Sequence, residues 1–150
     1  MTSSERAVWL LIIATGALTT LLILSFVATP VKFLAEDVPL EQLLAVGRVT
    51  FRASLVCEAA FVASLMLIAR GRARWLAAAA SALLLFQWLF LMPLLEDRTL
   101  ARMAGHQLAP SSLHVWWVVF DITRIGVYSL ILRSAVRTLM MTVRTGSLAS

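Results

Sequence analysis

The sequence is poor in charged residues: only 14% of its 150 residues are Asp, Glu, Lys or Arg. Ordinary soluble domains carry about 25% charged residues and about 45–50% apolar ones. Hydrophobic residues make up 61% of this chain, so its composition excludes an ordinary soluble domain. The composition is typical of a protein whose outer surface meets lipid.

Cysteine and histidine are also scarce, with one Cys and two His. Cys57 cannot form an intrachain disulfide, and its place in an apolar run predicts a small buried hydrophobic residue rather than a reactive thiol. The chain has no CxxC, no HExxH and no paired histidines, so we expect no metal. His106 and His114 are too close in sequence to clamp a haem from two helices. Because GxSxG and phosphate-binding glycine loops are absent as well, no cofactor is predicted.

No internal repeat or low-complexity stretch divides the chain, which has only four Pro and six Gly. A helix needs about 20 apolar residues to cross the hydrocarbon core of a membrane. Four runs reach this length, at about 7–29, 45–69, 75–95 and 113–132. The sequence therefore predicts an all-α fold, a bundle of four transmembrane helices that forms a single membrane domain over 1–150. A basic tail follows at 133–150.

The first apolar run has a competing interpretation as a secretory signal peptide. It is longer than the roughly 7–15 residues of a signal peptide's hydrophobic region. Its small residues Gly16 and Thr20 also suit close packing against another helix. We therefore expect it to be retained as a membrane anchor. Pro30 is expected to close this run, and Pro93 to end or kink the third.

Basic residues outside the apolar runs are unevenly shared between the two sides of the predicted membrane. Seven lie on the side of the termini: Arg6, Arg70, Arg72, Arg74, Arg133, Arg137 and Arg144. Three lie on the other side, among five acidic residues: Lys32, Arg98 and Arg102. By the positive-inside rule, the N- and C-termini are both cytoplasmic. These residues indicate topology and contact with lipid headgroups, and we expect no binding of nucleic acid.

The fourth apolar run carries polar residues along one face. His114, Trp117, Asp121, Arg124 and Tyr128 are spaced by three and four residues, which makes one narrow stripe on a helix. A charged side chain at the bilayer centre costs about 2.5–3.5 kcal/mol even on the lower insertion scales. The stripe is therefore expected to face the interior of the bundle.

The second apolar run offers partners for this stripe, because Arg48, Arg52 and Glu58 lie on it. Both runs cross the membrane in the same direction, so a rise of about 1.5 Å per residue gives comparable depths. Arg52 lies about 10 Å and Asp121 about 12 Å from the outer end, while Glu58 lies at about 20 Å and Arg124 at about 17 Å. We therefore predict that Arg52 contacts Asp121 and that Glu58 contacts Arg124.

All four helices are expected to contribute to one polar layer, with Thr19 and Thr20 from the first run and Gln87 from the third. The predicted polar-layer or ligand-binding residues are Arg48, Arg52, Glu58, Gln87, His114, Trp117, Asp121 and Arg124. A purely structural role is the alternative, because lipid offers no competing partners and buried ion pairs can hold helices in register.

Three motifs give the chain a resemblance to known membrane proteins: TPVKF after the first run, MPLLEDRTLARMAG after the third, and His114-x-x-Trp117-x-x-x-Asp121-x-x-Arg124 in the fourth. Together they resemble a family of small, mostly uncharacterised four-helix membrane proteins found widely in bacteria, with eukaryotic transmembrane relatives. That family is expected to have Tyr, Glu and Lys at the last three positions, so this chain differs conservatively there. The resemblance implies four spans, a shared polar stripe and the bacterial inner membrane, but no established activity. The Trp and Arg of the last helix also resemble small four-span anthrone-oxygenase-like proteins.

Three functions remain open. The first is transport or handling of a small molecule, with Arg48, Arg52, His114, Asp121 and Arg124 lining a pocket open to the outside. Together with Glu58 these side chains sum to +1, which suits an anionic or quinone-like ligand. The second is a structural or accessory subunit, in a homo-oligomer or beside a partner membrane subunit. The third, an oxidoreductase or cofactor-free oxygenase that uses His114 and Asp121, is the least favoured, and we expect a protein that is not an enzyme.

Overall fold

The computed structural model describes residues 1–147, with side chains described for residues 1–144. Within this range the chain forms helices and no strand. Four long helices run over Ser3–Leu34 (α1), Leu40–Ile68 (α2), Arg72–Met103 (α3) and Leu113–Ser147 (α4). All four are long and apolar enough to cross a membrane, α4 over Leu113–Arg144. The predicted all-α fold with four candidate membrane spans is confirmed.

Two prolines lie within helices rather than at their ends. A proline ring clashes with the carbonyl group four residues earlier and donates no N–H. A π-helical segment at Leu22–Ala28 precedes Pro30, and another at Gln87–Leu91 precedes Pro93. Because the π turn pairs each N–H with a carbonyl five residues back, it makes room for the ring and the helix continues. The expectation that Pro30 closes its helix is therefore wrong, and of the two outcomes expected for Pro93, an end or a kink, the end is excluded because α3 continues to Met103.

Small residues allow the helices to approach one another closely. Helix α1 packs most extensively against α4 and then against α2. Ala17 of α1 and Ala77 of α3 have no exposed surface. At Gly16 of α1, an added Cβ would lie 2.7 Å from the ring of Phe61 in α2, so any larger residue would displace that ring. The predicted packing role of Gly16 is confirmed.

The connections divide the bundle into two ends. Residues 35–39, between α1 and α2, and residues 104–112, between α3 and α4, lie at one end, which we call the two-loop end. The short 69–71 connection lies at the opposite end together with the start of α1 and the described end of α4, and we call this the terminal end. Gly71 directly precedes α3 and has a φ angle of 55°, and Gly105 lies just after the end of α3 and has a φ angle of 84°. Glycine adopts such positive φ angles without a steric penalty.

Large apolar side chains cover the outside of the bundle. In the protein alone, Leu67 is 86% exposed and Trp75 is 80% exposed, as expected for residues that contact lipid. Cys57 belongs to this outer surface, so the prediction that it is buried is wrong. An apolar run does not reveal which face of a membrane helix points inward, because lipid-facing and inward-facing positions are both apolar.

Candidate functional site

Three charged side chains meet inside the bundle. Arg124 of α4 lies between Glu58 of α2 and Asp121 of its own helix, and all three residues are at most 1% exposed. Arg124 Nη1 is 2.9 Å from Glu58 Oε2, and Arg124 Nη2 donates to Asp121 Oδ1 at 2.5 Å. The predicted contact between Glu58 and Arg124 is confirmed.

Two neutral side chains extend this cluster. Gln87 Nε2 of α3 donates to Asp121 Oδ1 at 3.0 Å and to the carbonyl oxygen of Trp117 at 3.2 Å. The Tyr128 hydroxyl of α4 donates to Glu58 Oε1 at 2.8 Å. We call the resulting group the buried network: Glu58, Gln87, Asp121, Arg124 and Tyr128.

Helix α1 adds no polar side chain to the buried network. Thr19 is exposed, and within the described residues neither Thr19 nor Thr20 forms a hydrogen bond with a network side chain. The buried positions of α1 at this level, Ala17 and Leu21, are apolar. The prediction that all four helices contribute to the polar layer is therefore wrong, and three helices build the network.

The buried network is closed to small molecules. Each of its charged groups has an opposite charge within 2.9 Å. Neither cavity described below is lined by any of its five residues. Some hydrogen-bonding capacity stays unused: within the described residues, Asp121 Oδ2, Gln87 Oε1 and Arg124 Nε have no hydrogen-bond partner. This geometry favours a structural role for the network.

Aromatic rings separate the buried network from the two-loop end. Trp117 is 2% exposed, and its ring centre lies 5.0 Å from that of Phe51 in α2. The His114 ring, one turn nearer the two-loop end, lies 6.4 Å from the same Phe51 ring. The predicted stripe on α4 is thus divided, with His114 on one side of this aromatic pair and Asp121 on the other.

A cavity of about 300 Å³ lies at the two-loop end, beyond the aromatic pair, and all four helices line it. Its charged lining consists of Lys32, Arg48, Glu96, Arg98 and Arg102. Four cations therefore face one carboxylate. The first residues of α4, which include His114, also line the cavity, so the positive end of a helix dipole adds to this field.

Two of the cavity cations are held by neutral groups. Arg98 donates to the carbonyl oxygen of Ala109 in the 104–112 loop. Lys32 Nζ lies 4.9 Å from the centre of the Phe33 ring, which is within the range of a cation–π contact. The ammonium group also occupies the space beside Gly47 that a side chain would fill. These contacts position positive charge without neutralising it.

Glu96 of α3 pairs with two residues that were predicted to face the polar layer. Arg52 Nη2 donates to both carboxylate oxygens of Glu96, at 2.5 and 2.7 Å, and Arg48 Nη1 lies 3.6 Å from Oε1. The prediction that Arg52 contacts Asp121 is wrong, because Asp121 pairs with Arg124 and the Arg52 side chain is 59% exposed. The predicted single layer is in fact two separate groups, the buried network and the cavity.

The sequence reasoning missed four of the cavity residues. Lys32, Arg98 and Arg102 were interpreted only as topology signals, and Glu96 only as a loop acid. The sequence did contain an indication of the cavity: these three basic residues lie on the side of the predicted membrane where the positive-inside rule disfavours them. Within the described residues, none of the three forms an ion pair.

A second depression, of about 530 Å³, lies between α2 and α3 and opens toward the lipid-facing surface. Its lining is mostly apolar and includes Leu55, Val56, Trp88 and Leu89. We call it the lateral groove. Arg52 lies at its edge.

No family model, curated protein or solved structure matches the chain. Among the described side chains, no three His, Cys, Asp or Glu residues lie close enough together to hold a metal ion. Function is therefore inferred from the geometry of the cavity and the network, and the family resemblance drawn from the motifs stays a prediction.

Proposed function

We propose that the protein is a multi-pass membrane protein that binds a small anionic molecule in the cavity at its two-loop end, as a step in transporting or handling that molecule. The charge imbalance of the cavity carries this proposal, since four cations face one carboxylate there. Like charges held close together repel one another even where they are only partly buried, as Lys32, Arg48 and Arg98 are, and an anion in the cavity would offset that repulsion.

The distribution of basic residues along the chain supports the proposal. Lys32, Arg98 and Arg102 all line the cavity, although the positive-inside rule disfavours basic residues on this side of the predicted membrane. Four of the five acidic residues on the same side lie elsewhere, and only Glu96 lines the cavity. Positive charge is therefore concentrated at the cavity rather than balanced across the surface.

The side chains of the cavity suit a carboxylate or phosphate group. Arg98 and Arg102 are four residues apart and so share one face of α3. Planar guanidinium groups bind such oxyanions through two parallel hydrogen bonds, and Lys32 adds a point charge. A volume of about 300 Å³ lies at the lower end of the range for small-molecule sites. The cations favour an anion over the quinone-like alternative, which would leave their charge uncompensated.

We also propose that the termini are cytoplasmic and that the cavity opens to the outside of the bacterial inner membrane. The seven-to-three distribution of basic residues supports this orientation. Reporter domains inserted in the 69–71 connection and in the 104–112 loop are expected to label opposite sides of the membrane. Labelling of both on the same side would contradict the four-span topology.

The alternative functions differ in their support. The closed geometry of the buried network favours a structural role for that part of the molecule. An oxidoreductase that uses His114 and Asp121 together has no comparable support, because Trp117 and Phe51 lie between these two residues.

Binding of a defined anion to the full-length protein tests the proposed function. In nanodiscs of zwitterionic lipid, glycerol 3-phosphate is expected to bind saturably in calorimetry, whereas uncharged glycerol is not. Arg102→Gln is expected to raise the Kd about tenfold, because hydrogen bonds to charged groups contribute about 1.5–3 kcal/mol and each 1.4 kcal/mol is a factor of about ten.

Arg137→Gln is the matched control, since Arg137 is an exposed arginine near the terminal end of α4. Its Kd should equal that of the unmodified protein. Absence of saturable binding, or an equal loss of affinity in both variants, would overturn the proposed function.

A further inference from the structure

We infer that the ligand is an anionic amphiphile, a lipid-like molecule whose headgroup occupies the cavity and whose apolar chain lies in the lateral groove. This inference rests on the proposed function, because it takes the cavity as the anion site. It adds the chemical class of the ligand and the route by which the ligand reaches the site, which is the bilayer.

The cavity and the lateral groove are neighbours across a single seam. Met92 and Glu96 of α3 line both of them. Beyond this seam the groove continues along α2 and α3 through Val56 and Leu89, which are 56% and 63% exposed. A ligand that spans the seam would place its polar end among the cations and its apolar end against these side chains.

The two compartments differ in chemistry in the way an amphiphile requires. The cavity holds four cations and about 300 Å³, enough for a small anionic headgroup. The groove is larger, about 530 Å³, and seven of its ten lining residues are apolar, while its charged lining residues are Arg52, Glu96 and Asp97. A water-soluble anion would use the cavity alone and leave the groove to membrane lipid.

The ion pairs of Glu96 lie on the seam itself. Arg48 lines the cavity, Arg52 lines the groove, and the Glu96 carboxylate contacts both guanidinium groups. An anionic headgroup that arrives from the groove offers these two arginines the same hydrogen bonds as Glu96. The Arg52 side chain is 59% exposed and its guanidinium group has further N–H donors, so a headgroup can bind Arg52 during passage while Glu96 stays paired.

Two probes with the same headgroup separate the amphiphile from a soluble anion. The full-length protein in zwitterionic nanodiscs is titrated with glycerol 3-phosphate, which has no chain, and with octanoyl lysophosphatidic acid. The octanoyl chain of the ligand is expected to lower the Kd at least tenfold, since its apolar surface is removed from water when it lies in the groove.

Partitioning of the chain into the nanodisc also lowers the apparent Kd, so matched variants are needed. Val56→Trp fills the groove and should abolish the chain's additional effect, while the Kd for glycerol 3-phosphate stays unchanged. Val49→Trp is the control, because Val49 is a 63% exposed residue of α2 that lines neither the cavity nor the groove. Thermal melting of both variants checks that each is folded.

The outcomes distinguish the two proposals. If the octanoyl chain lowers the Kd in Val49→Trp but not in Val56→Trp, the result supports an amphiphilic ligand. An equal chain effect in all three proteins, with glycerol 3-phosphate still bound, overturns the amphiphile and leaves the anion site standing. If neither probe binds, the proposed function itself is wrong.

The rate of exchange tests the role of the seam independently. Arg52→Gln removes an arginine that would receive the headgroup on the seam without changing a cavity residue, so octanoyl lysophosphatidic acid should associate several times more slowly while glycerol 3-phosphate associates at the same rate. An unchanged rate for the amphiphile would show that it reaches the cavity by another path.

Discussion

The buried network and the cavity contain the same kinds of side chains but differ in how their charges are compensated. In the network, Arg124 is in contact with Glu58 and Asp121, and the group has almost no exposed surface. In the cavity, Lys32 and Arg102 have no acidic partner among the described residues and face an open space. Ionisable residues within membrane spans are often interpreted as functional. We propose that the compensated group, the buried network, stabilises the fold and that the uncompensated group, the cavity, binds a ligand.

The largest expected effect is on the network side of this comparison. Arg124→Leu leaves Glu58 and Asp121 buried without a cation, a change that costs about 3–5 kcal/mol in buried ion pairs. Denaturant unfolding in detergent should show a loss of this size, against a change within about 0.5 kcal/mol for Arg137→Leu, which alters an exposed residue. A loss below 1 kcal/mol for Arg124→Leu would remove the distinction between network and cavity.

A smaller effect is expected at the neutral edge of the network. Tyr128→Phe removes the hydroxyl that donates to Glu58 Oε1 at 2.8 Å and leaves the ring in place. Hydrogen bonds to charged groups contribute about 1.5–3 kcal/mol, and in membrane proteins the measured values are often below that range. We therefore expect a loss of about 1–2 kcal/mol in the same unfolding measurement, with the Kd for glycerol 3-phosphate unchanged. A change in that Kd would show that the aromatic pair does not separate the two regions.

The smallest effect is expected at Arg52, whose pair with Glu96 is partly exposed. Such pairs contribute about 0–1 kcal/mol. Because Arg52 and Asp121 do not touch, the losses of Arg52→Met and Asp121→Leu should add to within about 0.5 kcal/mol in the double variant. Coupling larger than that would mean that the two side chains interact in the membrane.

Hydropathy was sufficient to predict four long helices but not their ends, since α3 continues to Met103 and α4 continues past residue 132, into the predicted tail, to Ser147. A membrane span needs a long apolar run, and lipid stabilises such a run wherever it lies in the bundle. The local details were harder, since the helices continue past Pro30 and Pro93 after π-helical turns. A π turn depends on packing around the helix, which the local sequence does not encode.

Depth along a helix could be predicted from the sequence, whereas direction around it could be predicted for α4, whose polar stripe is buried from Trp117 to Tyr128, but not for α2. Glu58 and Arg124 match in depth and also face each other, so the prediction was correct. Arg52 and Asp121 match in depth as well, yet Arg52 points to the outside of α2. On a helix with apolar residues all round, the hydrophobic pattern does not fix the inward face.

The cavity was predicted only in part: a pocket open to the outside was expected, and Arg48 and His114 do line the cavity. Arg52, Asp121 and Arg124, which were expected to line the same pocket, do not.

Lys32 at the end of α1 and Arg102 at the end of α3 come together only when the helices pack and the 104–112 loop folds over them. The sequence showed these basic residues and their unusual position on the predicted outer side of the membrane. It did not show that they lie around one cavity.

The distance between a bound phosphate and the cavity arginines tests the central claim most directly. Full-length protein with ¹⁵N-labelled arginine, in nanodiscs with glycerol 3-phosphate, can be examined by phosphorus–nitrogen dipolar recoupling in solid-state NMR. At saturating ligand we expect dephasing of guanidinium nitrogens at hydrogen-bond range, reduced in Arg102→Gln, where two of the three cavity arginines remain, and unchanged in Arg137→Gln. Dephasing that is unchanged in Arg102→Gln and disappears in Arg137→Gln would place the anion on the C-terminal arginines and contradict the assignment of the cavity.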